Sequence, residues 1–391
     1  MGSQLVAKGD SAQRDPAPGE LASSAAGVAA LAAERAAEAE RARQLDPDVA
    51  KAIAEAGFAR HFVPRECGGN AGTFAELTSA VAIVGQACAP SAWCASLYAN
   101  LARMAGFLPA EGYREIWADG PDALVVGSLT PSGKAVAADG GWQVSGSWPY
   151  ISGVAHSDWA LVCAVADGDP LVFAVPRAQY RTTDTWFNVG MQATGSNLVT
   201  VEDVFVPRRR AFRREDLFSG KAADSTEDCH RVPLQAANGL SFAVPVLGAA
   251  QGALAAWSAY VEGKVRAYAE KPVGPPPNRS VLDQTLARCS GEIDAARLLL
   301  ERASATADLG AEVSGLETMR NLRDSALAVE VLVTAVNRLF KTAGTSGQSS
   351  ANPLQRAWRD VNSASTHIAL QFEAAATAYS GALLDLTTLR S

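Results

Sequence analysis

The feature that most constrains this chain is that its hydrophobic period changes twice. From about Glu20 to Met104 apolar residues recur at helical spacing in an alanine-rich text, in which LASSAAGVAALAAERAAEAERAR is a strong helix former. Between Asp122 and Pro207 the text becomes short β-branched and aromatic runs divided by turn residues: ALVVGSL, AVAADGGWQVSGSW, WALVCAV, LVFAVP and LVTVEDVFVP. After about Leu234 the helical spacing returns and continues to the end. A helical block, a strand block with no helix inside it and a second helical block do not make an alternating α/β fold. The class is α+β.

The punctuation divides these blocks further. Residues 1–19 are polar, bear proline and glycine, and are expected to form a loose tail. An N-terminal helical domain is expected at 20–120, a central antiparallel β domain at 121–215 and a C-terminal four-helix bundle at 234–391. Asp139-Gly140-Gly141 is a hairpin signal within the β block. The four bundle helices are expected at about 235–268, from Val281 onward, at 315–341 and at 354–386, with PVGPPPNR and AGTSGQSSANP as breakers.

Composition removes several classes of function. The chain has 391 residues, 48% of them hydrophobic, which is enough for a sizeable core, and its net charge of −7 argues against a nucleic-acid surface. The basic run Arg208-Arg209-Arg210 with Arg213-Arg214 reads as a solvated turn. Six cysteines are scattered without a CxxC pair, so reduced thiols and no metal site are expected. The first residues carry no apolar signal-peptide core, and no uninterrupted apolar run reaches spanning length. The expectation is a cytoplasmic protein with no membrane partner. No GxGxxG opens a βαβ unit, so a nicotinamide site of Rossmann type is not indicated.

Three segments carry a family likeness. GGWQVSGSWPYISGVAHSDWALV (140–162) resembles the central signature of the acyl-CoA dehydrogenase superfamily, and DTWFNVGMQATGSNLVTVEDVFVP (184–207) resembles the segment that follows it. LQRAWRDVNSASTHIALQF (354–372) is similar to the C-terminal motif of that superfamily's flavin-dependent monooxygenases, where an Arg-Asp pair precedes a His by seven residues. Dehydrogenases of the superfamily need a carboxylate base near the C-terminus. Here the region reads AATAYSGALLDL and has no matching Glu. The resemblance therefore points to the oxygenase component of a two-component flavin monooxygenase, in the branch of the 4-hydroxyphenylacetate and actinorhodin-type hydroxylases.

That resemblance implies reduced FMN or FAD as a diffusible co-substrate, O2, and an NAD(P)H-dependent flavin reductase as partner. It also implies a homotetramer and a small aromatic substrate hydroxylated through a flavin C4a-hydroperoxide, with a polyketide of antibiotic biosynthesis as one guess. Amine N-oxygenation on the same scaffold, a dehydrogenase-like flavoprotein and a non-catalytic scaffold are the alternatives. Ser152 is the expected contact to flavin N5, and Tyr150 and Trp186 the aromatic walls. Ser128, Thr130, Thr194 and Ser196 are further expected flavin contacts, with Arg266 (and Arg279 and Gln284 near it) toward the phosphate. His367 is the expected general base that removes a phenolic proton, on a helical polar stripe with Arg356, Asp360, Ser363 and Gln371. Trp93 and Asn100 are expected to meet substrate, Asn100 standing where some relatives carry a second histidine.

Overall fold

The computed structural model describes residues 20–274 and 276–384, so the expected tail at 1–19 lies outside the described residues. Five helices come first: α1 (Glu20–Ala42), α2 (Pro47–Glu55), α3 (Phe74–Ala87), α4 (Ala89–Ala105) and α5 (Ala110–Ile116). α1 buries Ala25, Val28, Ala32, Ala36 and Ala39, steps of three and four that make one apolar stripe. α2 starts where it does because the Asp46 carboxylate accepts the Asp48 and Val49 N–H groups, with Pro47 in the first turn. α4 is buried along nearly its whole length, which makes it the central post of this layer.

The strands run between Val125 and Arg213 as β1 (Val125–Ala138), β2 (Gly141–Ile151), β3 (Trp159–Ala166), β4 (Asp169–Pro176), β5 (Arg181–Thr183), β6 (Asn197–Pro207) and β7 (Ala211–Arg213). They form one sheet in the order β5-β6-β2-β1-β3-β4-β7. The β1–β2 hairpin closes over Asp139-Gly140, with Gly140 at φ 77°. The expectation of antiparallel pairing holds for every pair except β1–β3, which is parallel. The correction has a simple cause: the link from β2 to β3 is short and passes beneath β1 to its far edge, so β3 must rise in the same direction as β1. β1 and β2 pair only from Gly133–Gly146 to Ala138–Gly141. Beyond that fork the tine with Ser128 and Thr130 is not paired to the tine with Trp148 and Tyr150. The basic run after β6 is more than a solvated turn, since Arg209 and Arg210 both bind Glu115 at the end of α5.

After α6 (Arg214–Ser219) the chain returns to long helices: α7 (Leu234–Glu270), α8 (Arg279–Ala307) and α9 (Gly315–Ala343). Ser314 and Glu317 form a reciprocal capping box at the start of α9. Leu300, Leu332 and Leu339 are fully buried between these helices, each contributing about 1.5–3 kcal/mol. By length and composition α7 could cross a membrane, but 72% of its most apolar window is buried inside the fold. It is the core helix of the bundle. Pro245 lies within α7 and has no N–H to give the Ser241 carbonyl, and the Ser96 hydroxyl of α4 donates to that carbonyl instead (2.9 Å). This cross-link fixes α7 against α4 next to Phe242.

The expected fourth helix at 354–386 is two helices, α10 (Pro353–Ala364) and α11 (Phe372–Leu383), with a single tight turn at Ile368–Leu370 between them; Asp385 and Leu386 lie outside the described residues. The break falls on Ser363-Ala364-Ser365-Thr366-His367, where side chains compete for the backbone. Ser365 Oγ donates to Asn362 O and Thr366 Oγ1 to Ser363 O, both at 2.8 Å. The Gln371 amide donates to the carbonyls of Ser365 and His367 across the gap. The polar stripe from Arg356 to Gln371 is therefore not continuous, and His367 stands off the helix.

Candidate active site

β2 ends at Ile151, and the chain turns at once through Ser152 and Gly153. Gly153 has φ 70°, and its carbonyl accepts the Tyr98 hydroxyl (2.8 Å); a Cβ there would lie 2.4 Å from that hydroxyl. The turn aims Ser152 inward, where it is buried. Trp93 Nε1 donates to Ser152 Oγ (3.2 Å), and Ser152 Oγ lies 2.7 Å from Ser196 Oγ. Ser196 Oγ is 2.6 Å from Thr194 Oγ1, which donates to the Met191 carbonyl at 2.8 Å.

The direction of every proton in this series follows from its ends. An indole N–H can only donate and a carbonyl can only accept, and each hydroxyl has one proton. The chain must run Trp93 to Ser152 to Ser196 to Thr194 to Met191. Ser152 has then given its proton away, and its remaining lone pair is an acceptor toward anything placed in the site.

Trp93 joins this chain to the other half of the site. Its ring meets Phe242 of α7 at 5.1 Å between centroids and the edge of His367 at 5.7 Å. His367 stacks on Phe242 at 3.8 Å. Its Nδ1 accepts the Ala369 N–H (3.2 Å) within the tight turn, and burial pushes its pKa down to about 4. At neutral pH the ring is uncharged, and with Nδ1 occupied as acceptor its proton sits on Nε2. The geometry thus presents His367 as a hydrogen-bond donor. The general-base role expected from the sequence needs a free lone pair, and the one lone pair of this tautomer is engaged by Ala369.

The other expected residues divide. Asn100 is buried on the Trp93 face of α4, one turn beyond Ser96, and donates to the Ser96 carbonyl (2.8 Å). Tyr150 and Trp186 meet edge to face at 6.1 Å, with Tyr150 73% exposed. Ser128 accepts the Thr130 N–H on the unpaired tine of β1. Arg266 is not brought to this site: it lies 24 residues beyond Phe242 on α7, about 36 Å at 1.5 Å per residue. Arg279 and Gln284 begin α8 on the same far side, with Arg279 paired to Asp283. His156, His61 and His230 hold the backbone carbonyls of Leu45, Thr73 and Phe62. Phe242 is the wall that the sequence did not single out; inside LSFAVPVLGAA nothing separates it from core.

Comparison with known proteins follows the same divisions. Models of the acyl-CoA dehydrogenase N-terminal and C-terminal domains match residues 20–106 and 240–372. The chain is 33% identical to the FADH2-dependent resorcinol hydroxylase, oxygenase component, of Rhizobium sp. (strain MTP-10005), over 92% of this chain and 93% of the relative. The crystal structure of 3-HSA hydroxylase from Rhodococcus sp. RHA1 superimposes with a TM-score of 0.87 at 28% identity, covering 93% of this chain and 97% of that one. XiaF from Streptomyces sp., in complex with FADH2 and glycerol, gives 0.86 at 29% identity, covering 94% and 95%.

Proposed function

The chain belongs to the flavin-dependent monooxygenase oxygenase components built on the acyl-CoA dehydrogenase fold, and from that membership we propose that it hydroxylates a phenolic aromatic with reduced FMN or FAD and O2, by way of a flavin C4a-hydroperoxide. The observation that carries the reading is the polarity at Ser152. Reduced flavin bears a proton on N5 and oxidised flavin does not, so an acceptor held at Ser152 Oγ suits the reduced form. Beyond the paired part of β1 and β2, Ser128 and Thr130 lie on one strand and Tyr150 on the other, and β2 ends at Ile151, next to that acceptor. These residues fit a flavin ring edge.

Reduced flavin bound there supplies the oxygen chemistry, and a separate reductase supplies the reduced flavin. This chain's residues do the rest. Ser152 accepts from N5–H, its own proton being committed to Ser196. Trp93 and Phe242 wall the site and exclude water, which limits loss of peroxide. His367 donates Nε2–H to the substrate oxygen and so favours the phenolate, the electron-rich form whose ring attacks, the phenolic proton leaving to solvent as substrate binds. Asn100 stands on the substrate side, where an amide can orient a polar group but cannot take a proton. Val265, Leu286 and Leu298 on α7 and α8 are exposed apolar side chains through which copies would pack as a homotetramer.

The test is anaerobic titration with reduced and oxidised FMN and FAD, followed by mixing with O2 in a stopped-flow spectrometer. The expected result is tighter binding of the reduced form and an absorbing oxygenated species that outlives free reduced flavin in O2. Equal affinity for both forms with immediate conversion to oxidised flavin would refute the reading.

A further inference from the structure

The hydroxyl chain ends on the carbonyl of Met191, and that residue is held at the peptides on both sides of its Cα. Its oxygen accepts from Thr194 Oγ1 (2.8 Å), from the Thr194 N–H (3.1 Å) and from Trp186 Nε1 (3.0 Å). Its N–H donates to Asp360 Oδ1 at 2.6 Å. Met191 itself has φ 54°, a left-handed conformation that a side-chain-bearing residue keeps only where its surroundings fix it. The flanking residues are anchored to the same helix. Arg359 Nη1 donates to the Val189 carbonyl (2.8 Å), and Gly190 lies so close that a Cβ would sit 2.3 Å from the Arg359 carbonyl. Arg359 is in turn bound to Glu40 of α1 (2.5 Å). Asp360 is 4% exposed, so its bond to Met191 is not shared with bulk water.

We propose that Asp360 is a positioning residue for the flavin face of the site: by accepting the Met191 N–H it holds Met191 left-handed, and the Met191 carbonyl then orients Thr194, Ser196 and Ser152 in series. The proposal rests on the reading of Ser152 as the flavin N5 contact. Asp360 touches neither flavin nor substrate. Its effect travels through four linked groups, and a carboxylate is needed only as an acceptor of the right reach. Without it the Gly190–Met191 peptide loses its anchor, the left-handed φ of Met191 relaxes, the carbonyl that follows shifts away from Thr194, and the Ser152 hydroxyl becomes free to point its proton into the site. Ser152 is then no longer a dedicated acceptor.

The experiment compares wild type, Ser152→Ala, Asp360→Ala, Asp360→Asn and the Ser152→Ala/Asp360→Ala double variant. The readouts are the dissociation constant for reduced FMN or FAD under anaerobic conditions, the lifetime of the oxygenated flavin, and Tm. Asp360→Ala is expected to weaken reduced-flavin binding by about tenfold, the size of a lost hydrogen bond to an oriented group. Asp360→Asn keeps the acceptor and is expected to restore binding to within about threefold of wild type. In the double variant Asp360→Ala is expected to add little to Ser152→Ala, because both act through one chain. Should Asp360→Ala not fold, Asp360→Ser replaces it, being polar but too short to reach the Met191 N–H. Wild-type affinity in Asp360→Ala or Asp360→Ser, or effects that multiply in the double variant, would overturn the proposal while leaving Ser152 in place. If Ser152→Ala changes nothing, the Ser152 reading and this inference fall together.

Discussion

The two halves of the site are built to different standards. On the sheet side, Ser152, Ser196 and Thr194 are bonded in series and the series ends on Met191, whose N–H is bound by α10. The 184–197 segment is also pinned by Arg43, which binds Asp184 (2.6 Å) and lies over the Phe187 ring (3.9 Å), and by Asn197, whose side chain accepts the Thr185 and Trp186 N–H groups. On the helix side, the hydrogen bonds of His367 stay within its own short turn, next to Ile368, which is 84% exposed, and its contacts to α4 and α7 are ring packing on Trp93 and Phe242 without a polar bond. The side assigned to flavin is over-determined, and the side assigned to substrate is attached locally. A cofactor common to a family needs one fixed geometry, whereas aromatic substrates of different outline are accommodated where a turn can shift.

If that contrast is correct, the two sides separate on substitution. The largest effect is expected from Ser152→Ala, which should shorten the life of the oxygenated flavin by on the order of 10²-fold, the loss typical of one positioned hydrogen-bond partner. Rapid mixing with O2 reads this directly. His367→Ala should leave that lifetime within about threefold of wild type but cut product formed per flavin oxidised by about tenfold, the balance emerging as hydrogen peroxide. An equal loss of lifetime in His367→Ala would erase the distinction between the two sides.

Titration should divide the halves in opposite senses. Burial pushes the Asp360 pKa from 3.8 up to about 7, so its stability contribution is complete below 3.8 and is lost as pH rises through about 7. Burial lowers His367 from 6.5 to about 4, so its contribution is complete above 6.5 and is lost as pH falls through about 4. Each gives at most about 1.4 kcal/mol per pH unit within its window. Asp360→Asn should flatten the fall in Tm from pH 5 to 7, and His367→Asn should flatten the fall from pH 6 to 4.5. Identical profiles for both variants and wild type would contradict these assignments.

The smallest effect concerns Tyr150, which holds φ 65° while 73% exposed. Tyr150→Gly relieves a left-handed conformation and gives up little burial, so stability should rise by about 0.5–1 kcal/mol while flavin binding weakens. A stability gain with unchanged flavin affinity would remove Tyr150 from the cofactor wall.

Much of this was legible in the sequence, and the gaps have physical causes. Strand alternation and turn residues gave the longer strands of the sheet but not the three-residue β5 and β7, and the parallel β1–β3 pair depends on which edge of β1 the 152–158 link reaches, which no local pattern records. The helix expected through His367 satisfied both a polar and an apolar stripe. It is interrupted because the Ser365, Thr366 and His367 side chains bind nearby backbone, a competition that periodicity does not weigh. Ser152, Thr194 and Ser196 stood out through their flanking motifs, and they do converge. Asp360 was visible as a member of a stripe and of the Arg-Asp pair but not as the partner of Met191, which is 169 residues away in sequence. Arg266 was named for the flavin phosphate by resemblance alone, and α7 places it far along the helix from Phe242.

The measurement that bears most directly on the central claim is incubation with isotopically labelled dioxygen, reductase-supplied reduced flavin and a panel of phenols, with mass analysis of the products. Wild type is expected to form a hydroxylated product carrying one labelled oxygen atom, diminished in both Ser152→Ala and His367→Ala. Consumption of O2 to hydrogen peroxide alone, with no labelled phenol formed from any member of the panel, would contradict it.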